Sequence, residues 1–524
     1  MNNTPRQILW ADDEIDMLRP HILYLQSKGF EVAAVSNGED ALQLAGQRKF
    51  DVVLLDEMMP GMGGLATLEA LQNLVPNLPV IMITKSEEEN LMNMALGQRI
   101  SDYLTKPVNA SQIFLAIKKV LEGESLQRSQ RTRDYVAEFN RIFSLRHGDL
   151  EWRDWLELYS NVVAWDLELR GMQNESLVRS HDDQKLQLNK EFGKFIETSY
   201  RGWVTRSDPN RPPLSVDIVP RWVLPHAREG KRVALVVIDC MRLDQWRMLE
   251  PLLQPYFDIK TDLYFSILPS ATPYARNAIF SGLFPLEIAR RHPSWWLEDA
   301  PKEASRNRYE KELLEEQMRL QGLEPAGLRY HKVYSVNEGN LLRKKVGTWL
   351  GIPFLALVFN FLDMVAHGQS ESEILQELAP DDEALRRLLH GWFQHSVLFE
   401  VLRILSRQNT TVVVTTDHGL VNCRRPSVVL ANRDASTSIR FKFGDNLVCE
   451  EKEAIHVKNP GEFMLPPGSL TKHYILAREN FFFVYPTNQH RYERQFRGTF
   501  QHGGISLEEM ILPVATLTPR PVDV

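Results

Sequence analysis

The chain has 524 residues, too many for one hydrophobic core, which points to two or three domains. Its 43% hydrophobic and 25% charged content is that of a soluble globular protein, and a net charge of -7 gives no bulk attraction to nucleic acid, although a local basic patch is not excluded. Cys240, Cys423 and Cys449 are too few and too scattered for a disulfide framework or a cysteine-rich zinc site, which fits a reducing compartment. Asp12 and Asp13 interrupt the first apolar run, so it does not read as a signal peptide. The longest later run, Gly351 to Ala366, carries Asn360 and Asp363 and is too short to span a bilayer. The expectation is a cytoplasmic protein with no membrane insertion.

Gln7 to Ala11, Phe30 to Val35, Asp51 to Leu55, Pro79 to Thr84 and Asp102 to Leu104 are short apolar runs with helical stretches between them. That βα alternation predicts a doubly wound parallel sheet, in which the ends of the first, third, fourth and fifth strands share one crevice. Those ends carry Asp12, Asp13, Asp56, Thr84 and Lys106. Three converging carboxylates repel one another unless a hard cation neutralises them, and Mg²⁺ suits one or two carboxylates plus a phosphoryl oxygen. Lys106 and Thr84 then offer a charge and a hydroxyl to a phosphoryl group on Asp56.

Asp12-Asp13, Leu54-Leu55-Asp56-Glu57-Met58-Met59-Pro60-Gly61, Thr84 and Tyr103-Leu104-Thr105-Lys106-Pro107 resemble a response-regulator receiver domain over residues 1–122. The resemblance implies that Asp56 accepts phosphate from a cognate sensor histidine kinase. It also implies that Asp12, Asp13 and Asp56 hold Mg²⁺ with the backbone carbonyl of Met58, and that Thr84 and Tyr103 form the switch pair beside Lys106. Lys85, in Lys85-Ser86-Glu87-Glu88-Glu89, stands where receivers carry a small residue and bears on the lifetime of the phosphoryl group.

Asn109 and Gln112 read as a capping box, and the helical pattern then continues to Leu145 with only Gly123 interrupting it, before Gly148 breaks it. Asp149 to Met172 and Asp182 to Arg206 keep helical spacing, with Trp152, Trp155, Leu158 and Trp165 on one side, which predicts a small helical bundle with an aromatic core over 123–210. Ser207 to Pro213 stops the helix and marks a boundary.

Beyond it, Val233 to Ile238 and Thr411 to Thr415 are dense β-branched runs ended by Asp239 and by Asp417-His418-Gly419. Asp363 and His367 follow a third apolar run four residues apart, on one face of a helix if Asp363 opens it. His502 lies in Gln501-His502-Gly503-Gly504, with Ser506 and Glu509 able to cap the next helix. Three Asp and three His suit two borderline cations such as Zn²⁺ or Mn²⁺, which 3.5–4 Å apart clamp both oxygens of a phosphoryl displacement.

The segment Ser270 to Gly282 resembles the nucleophile segment of the alkaline phosphatase superfamily, with Thr272 ten residues before Gly282 and Ser270 as the other hydroxyl in reach. The superfamily pattern implies one metal site of Asp239, Thr272, Asp417 and His418 and another of Asp363, His367 and His502. Val237-Ile238-Asp239-Cys240-Met241-Arg242-Leu243-Asp244 is similar to the PglZ branch, over 215–524. Cys240 reads as a packed thiol. The order receiver, helical bundle, PglZ domain resembles the PorX-like response regulators, associated with type IX secretion in Bacteroidetes, which implies control of secretion genes through a sigma factor.

The reading is α/β throughout: a phosphorylation-controlled, zinc-dependent phosphodiesterase or phosphatase acting on a nucleotide-like diester, with a phosphorylation-dependent homodimer. Two other readings stand beside it. One is a signalling scaffold with a structural metal site. The other is a DNA-binding regulator with a helix-turn-helix inside 124–210, where frequent Glu and Asp disfavour phosphate contacts.

Overall fold

In the computed structural model the described residues are 5–85, 100–145, 150–172, 174–206, 208–296, 306–325, 327–349, 351–432, 435–467 and 471–521. Ser86 to Glu89, Gly148, Asp149 and Ser207, named above, lie outside them. The chain divides into two compact units, Met1–Asn140 and Arg141–Val524.

The first unit begins with strand β1 (Arg6–Ala11), helix α1 (Arg19–Ser27), β2 (Phe30–Val35), α2 (Gly38–Gln47), β3 (Val52–Asp56), α3 (Gly64–Leu74), β4 (Val80–Thr84) and β5 (Asp102–Thr105). The strands form one sheet in the order β2-β1-β3-β4-β5, every pair parallel. Period-two alternation explains why it is covered on both faces: Ile8, Trp10, Val52 and Leu54 pack into one apolar cluster, and Leu9, Ala11, Val53 and Leu55 into another. Asn109 and Gln112 exchange side-chain and backbone hydrogen bonds of 3.0 and 2.9 Å at the start of helix α4 (Ala110–Leu145), within which the division between the units falls.

The second unit opens with two long helices, α5 (Trp152–Gly171) and α6 (Glu175–Thr205). They do not keep a core of their own. Trp155, Tyr159, Phe192, Ile196 and Tyr200 share one buried cluster with Phe265, Leu268, Tyr274 and Tyr474 of the region that follows. Paired helices present more apolar surface than they can bury against each other, and the remainder is covered by the larger domain.

That domain holds β6 (Val233–Ile238), α7 (Leu243–Leu253), β7 (Phe257–Phe265), α8 (Thr272–Ser281), β8 (Arg329–Val333), β9 (Phe354–Phe359), α9 (Phe361–Gln369), α10 (Asp382–Gln394), β10 (Thr411–Thr415) and β11 (Ile511–Pro519) among its elements. Its main sheet runs β7-β11-β10-β6-β9-β8, parallel from β10 to β8 and antiparallel where β11 meets β10 and β7. Val412 and Val414 enter one buried layer and Val413 the other, so the central strands are apolar on both sides and polar chemistry is confined to their ends.

Buried ion pairs tie the long helices to this domain. Arg386 on α10 donates to Asp166 of α5 at 2.6 Å and to Asp244 of α7 at 2.8 Å, and Lys185 of α6 lies 2.8 Å from Glu508. Removing one partner of a buried pair strands the others, at about 3 kcal/mol. Arg386→Leu is therefore expected to lower unfolding stability by about that amount in chemical denaturation of the second unit, and a change within error would contradict the account. His181 on α6 is buried, with Nε2 3.0 Å from the Val162 carbonyl, and burial pushes its imidazole down to about 4. The unfolded chain takes up that proton near pH 6.5 while the folded one excludes it, so this contribution is present above about 6.5 and lost as pH falls towards 4. His181→Gln is expected to show a smaller drop in denaturation midpoint between pH 7 and pH 5 than the parent protein.

Candidate functional site

In the first unit the β-strand ends bring Asp12, Asp13 and Asp56 together, one oxygen of each within 4.8 Å of the others. Lys106 Nζ lies 3.0 Å from Asp12 Oδ2 and 2.9 Å from Asp56 Oδ1. Burial raises Asp56 above the ordinary carboxylate range against the lowering effect of Lys106, as expected for a carboxylate waiting for a cation. The Thr84 hydroxyl has a partner beside Asp56. It donates to the carboxylate of Glu57, a partner that sequence reasoning passed over although it adjoins the acceptor. Tyr103 and Met58 are exposed.

In the second unit, strand ends and helix starts converge on one cluster, buried except towards Asp363 and His367. β6 delivers Asp239, β10 delivers Asp417 and His418, and α8 begins at Thr272. Asp363 and His367 project from one face of α9, His367 Nε2 lying 3.2 Å from Asp363 Oδ1. A short antiparallel pairing of Val421–Asn422 with Phe500–Gln501 carries His502 over His418, their rings stacked at 4.2 Å. Thr272 Oγ1 is 2.9 Å from His418 Nε2, which lies 3.7 Å from both Asp239 and Asp417. Ser270 Oγ instead donates to the Gly504 carbonyl at 2.6 Å and is turned away.

Local bonding explains the placement. His418 Nδ1 is 3.2 Å from the Gly419 carbonyl, which aims Nε2 inward. The turn after β10 is fixed by Ser266, whose hydroxyl donates to the Asp417 carbonyl at 2.8 Å, and by Thr416, whose Oγ1 accepts from the Met241 N–H at 3.0 Å. Gly419 is required for close approach: a Cβ there would stand 1.9 Å from the Glu508 carbonyl oxygen.

The electrostatics are those of crowded acids relieved by one guanidinium. Arg276 of α8 donates to Asp239, and to Glu310 at 2.7 Å, and lies 3.7 Å from Asp417. Burial acts to raise Asp239, but Arg276 and His418 outweigh it and hold it below the usual range; burial and the charge of Asp239 push Asp417 up to about 7. His418 is held above the ordinary imidazole range because Asp417 and Asp239 outweigh its burial, whereas burial and the neighbouring His418 hold His502 well below it, in the neutral form that ligates metals. Asn360, just past β9, donates to Asp239 at 2.9 Å. Asn360 had a local signal in its strand-end position. Glu310 and the Arg276 pairing had none, because the partners lie 34 residues apart.

The ligating atoms fall into the groups Asp239-Asp417-His418 and Asp363-His367-His502, with Cys240 joining Asp239 to Asp363 and His418 to His502. Asp417 Oδ2 is fully buried with no hydrogen-bond partner among the described residues, an orphaned carboxyl oxygen that a cation would satisfy. Carboxylate and imidazole donors in this number fit Zn²⁺ or Mn²⁺.

Residues 8–118 match the response regulator receiver domain family, residues 125–204 the PorX response regulator linker domain, and residues 218–517 the BREX system PglZ alkaline phosphatase-like domain. The chain is 29% identical over 137 residues to the transcriptional regulatory protein GlrR of Escherichia coli (strain K12), and 30% identical over 139 residues to SrrA of Staphylococcus aureus (strain NCTC 8325 / PS 47). These matches take in 26% of this chain, and only 31% and 57% of the length of those regulators. Among solved structures, chemotaxis protein CheY4 of Vibrio cholerae is 26% identical, covering 22% of this chain and 99% of its own, with a TM-score of 0.22. A CheY-like receiver domain protein from Methanospirillum hungatei JF-1 is 26% identical, covering 24% and 98%, with a TM-score of 0.23. Among the described residues no helix is long and apolar enough to cross a membrane. With the PglZ match spanning more than half of the chain, behind a receiver domain and a PorX-type linker in that order, the protein belongs to the PglZ family and has the build of a PorX-like response regulator.

Proposed function

We propose that the protein is a phosphorylation-controlled phosphoric ester hydrolase, a two-zinc phosphodiesterase whose nucleophile is Thr272. The observation that carries this is the Thr272 hydroxyl at the first position of α8, 2.9 Å from His418 Nε2 inside the cluster of three Asp and three His. A purely structural metal site has no use for a hydroxyl on its inner face.

Asp239, Thr272, Asp417 and His418 would hold one cation and Asp363, His367 and His502 the other; bound there, the pair supplies the charge that lowers the hydroxyl pKa and stabilises the phosphoryl oxygens. The chain's own residues do the rest. The amino end of α8 adds its partial positive charge where the attacking oxygen becomes anionic. Arg276 and Asn360 fix the orientation of Asp239. The half-exposed His367 and the exposed Met364 mark the open side, by which the ester enters and the leaving group departs. Attack by Thr272 Oγ1 on phosphorus breaks the bond to the leaving oxygen and leaves a phosphothreonine ester, which water then hydrolyses.

The preference for diesters follows from the guanidinium groups. A dianionic monoester calls for a free arginine fork. Arg276 is taken by Asp239 and Glu310, and Arg242 by Asp244 and Asp382, both fully buried. The receiver domain implies a cognate sensor kinase. The PorX-like build supports a cytoplasmic role in type IX secretion, with a sigma factor downstream, and phosphorylation of Asp56 assisted by Mg²⁺ as the controlling event.

Two measurements test this. Metal analysis should return about two Zn²⁺ per chain, with metal-dependent cleavage of a generic phosphodiester; Thr272→Val should keep both ions and lose turnover by roughly a thousandfold or more. Wild-type rates in that variant would refute the nucleophile. Beryllofluoride with Mg²⁺ should convert the protein from monomer to a two-fold dimer in light scattering, and Asp56→Asn should abolish the conversion while leaving the zinc content intact. An unchanged mass in the parent protein, with beryllofluoride bound, would contradict the dimer.

A further inference from the structure

Cys240 occupies a backbone conformation that an L-residue adopts at a cost. Its φ is +68°, in the left-handed region where only glycine is free of strain. A strained non-glycine residue at a site is retained where its side chain does something there. The thiol is fully buried, and Sγ stands 3.6 Å from Asp239 Oδ1 and 3.6 Å from Asp363 Oδ1, equidistant from a carboxylate of each metal group. It also lies within 4.8 Å of the ligating nitrogens of His418 and His502, one from each group. Two atoms bound to one tetrahedral zinc, a thiolate and a carboxylate oxygen, are held about 3.5 Å apart. The observed spacing meets that requirement on both sides at once. Independently, Asp417 Oδ2 in the same cluster is buried without a hydrogen-bond partner among the described residues, which marks the centre as built for cations and not for a neutral thiol packed among acids.

We propose that Cys240 is a thiolate ligand shared by the two cations, an eighth side chain of the metal centre standing between the Asp239 group and the Asp363 group. Resting on the metal-dependent reading above, it makes the centre softer than one of oxygen and nitrogen donors alone. Binding releases the thiol proton to solvent, and the thiolate favours Zn²⁺ and Cd²⁺ over Mn²⁺ and Mg²⁺.

Cobalt substitution of the full-length protein tests this by spectroscopy, without recourse to activity. Thiolate bound to Co²⁺ gives an intense near-ultraviolet charge-transfer band, which carboxylate and imidazole do not. The parent protein, stripped of metal and titrated with Co²⁺ without oxygen, is expected to develop that band. Cys240→Ser should bind the same number of cobalt ions with the band gone, and Cys449→Ser should keep the band. Cys240→Gly, which relieves the backbone, is expected to fold at least as stably as the parent and to lose tenfold or more in its preference for Zn²⁺ over Mn²⁺. Cobalt bound by the parent without the band, or a band that survives in Cys240→Ser, overturns the thiolate and leaves the two-cation reading standing. Failure of the parent to bind cobalt overturns both.

Discussion

Everything at the carboxyl-terminal site depends on one compensation: buried carboxylates from separate strand ends are held together by the guanidinium of Arg276. Asp239 and Asp417 are both fully buried, where like charges repel with little screening. Arg276 reaches both, and its own charge is secured from behind by Glu310, which Lys332 approaches at 3.0 Å. The arrangement leaves one carboxylate oxygen unsatisfied and one imidazole neutral, so the cluster is stable enough to fold yet still short of positive charge. That shortfall is what a divalent ion fills. The receiver uses the same physics on a smaller scale, with Lys106 standing between Asp12 and Asp56.

The two sites are alike in origin. Both lie at the carboxyl ends of parallel strands, where the backbone must leave the sheet and side chains of neighbouring strands reach one crevice. β3 and β10 are buried along their whole length, and the chemistry sits at their carboxyl ends: Asp56 closes β3, and Asp417 and His418 follow just past β10. Thr272 adds the complementary device, a hydroxyl at the positive end of a buried helix.

Much of this was legible in the sequence because it is local. Apolar runs gave the five strands of the first sheet and the three strands β6, β9 and β10 of the larger one, while β7, β8 and β11 went unread; acids at the strand ends gave the clusters, and the spacing of Asp363 and His367 gave a common face once Asp363 stood near a helix start. Three things were not legible. The aromatic faces of α5 and α6 read as a bundle core, since periodicity shows that a face is buried but not against what. The pairing of Arg276 carried no signal, since its partner Glu310 comes from a separate helix. The left-handed φ of Cys240 is a backbone property that no residue type announces, nor does any announce the nearness of its thiol to Asp239 and Asp363. Thr84 adds a smaller case, its hydroxyl engaged by Glu57 in this structure.

The central claim is that six Asp and His side chains from four separate parts of the chain, joined by Thr272, form a centre for two cations. Crystals of the protein grown with Zn²⁺ and measured on both sides of the zinc absorption edge test it most directly. Two anomalous peaks are expected about 3.5–4 Å apart, one within bonding distance of Asp239, Asp417 and His418 and the other of Asp363, His367 and His502. Peaks confined to other parts of the surface, with the cluster as it stands here, would contradict the account.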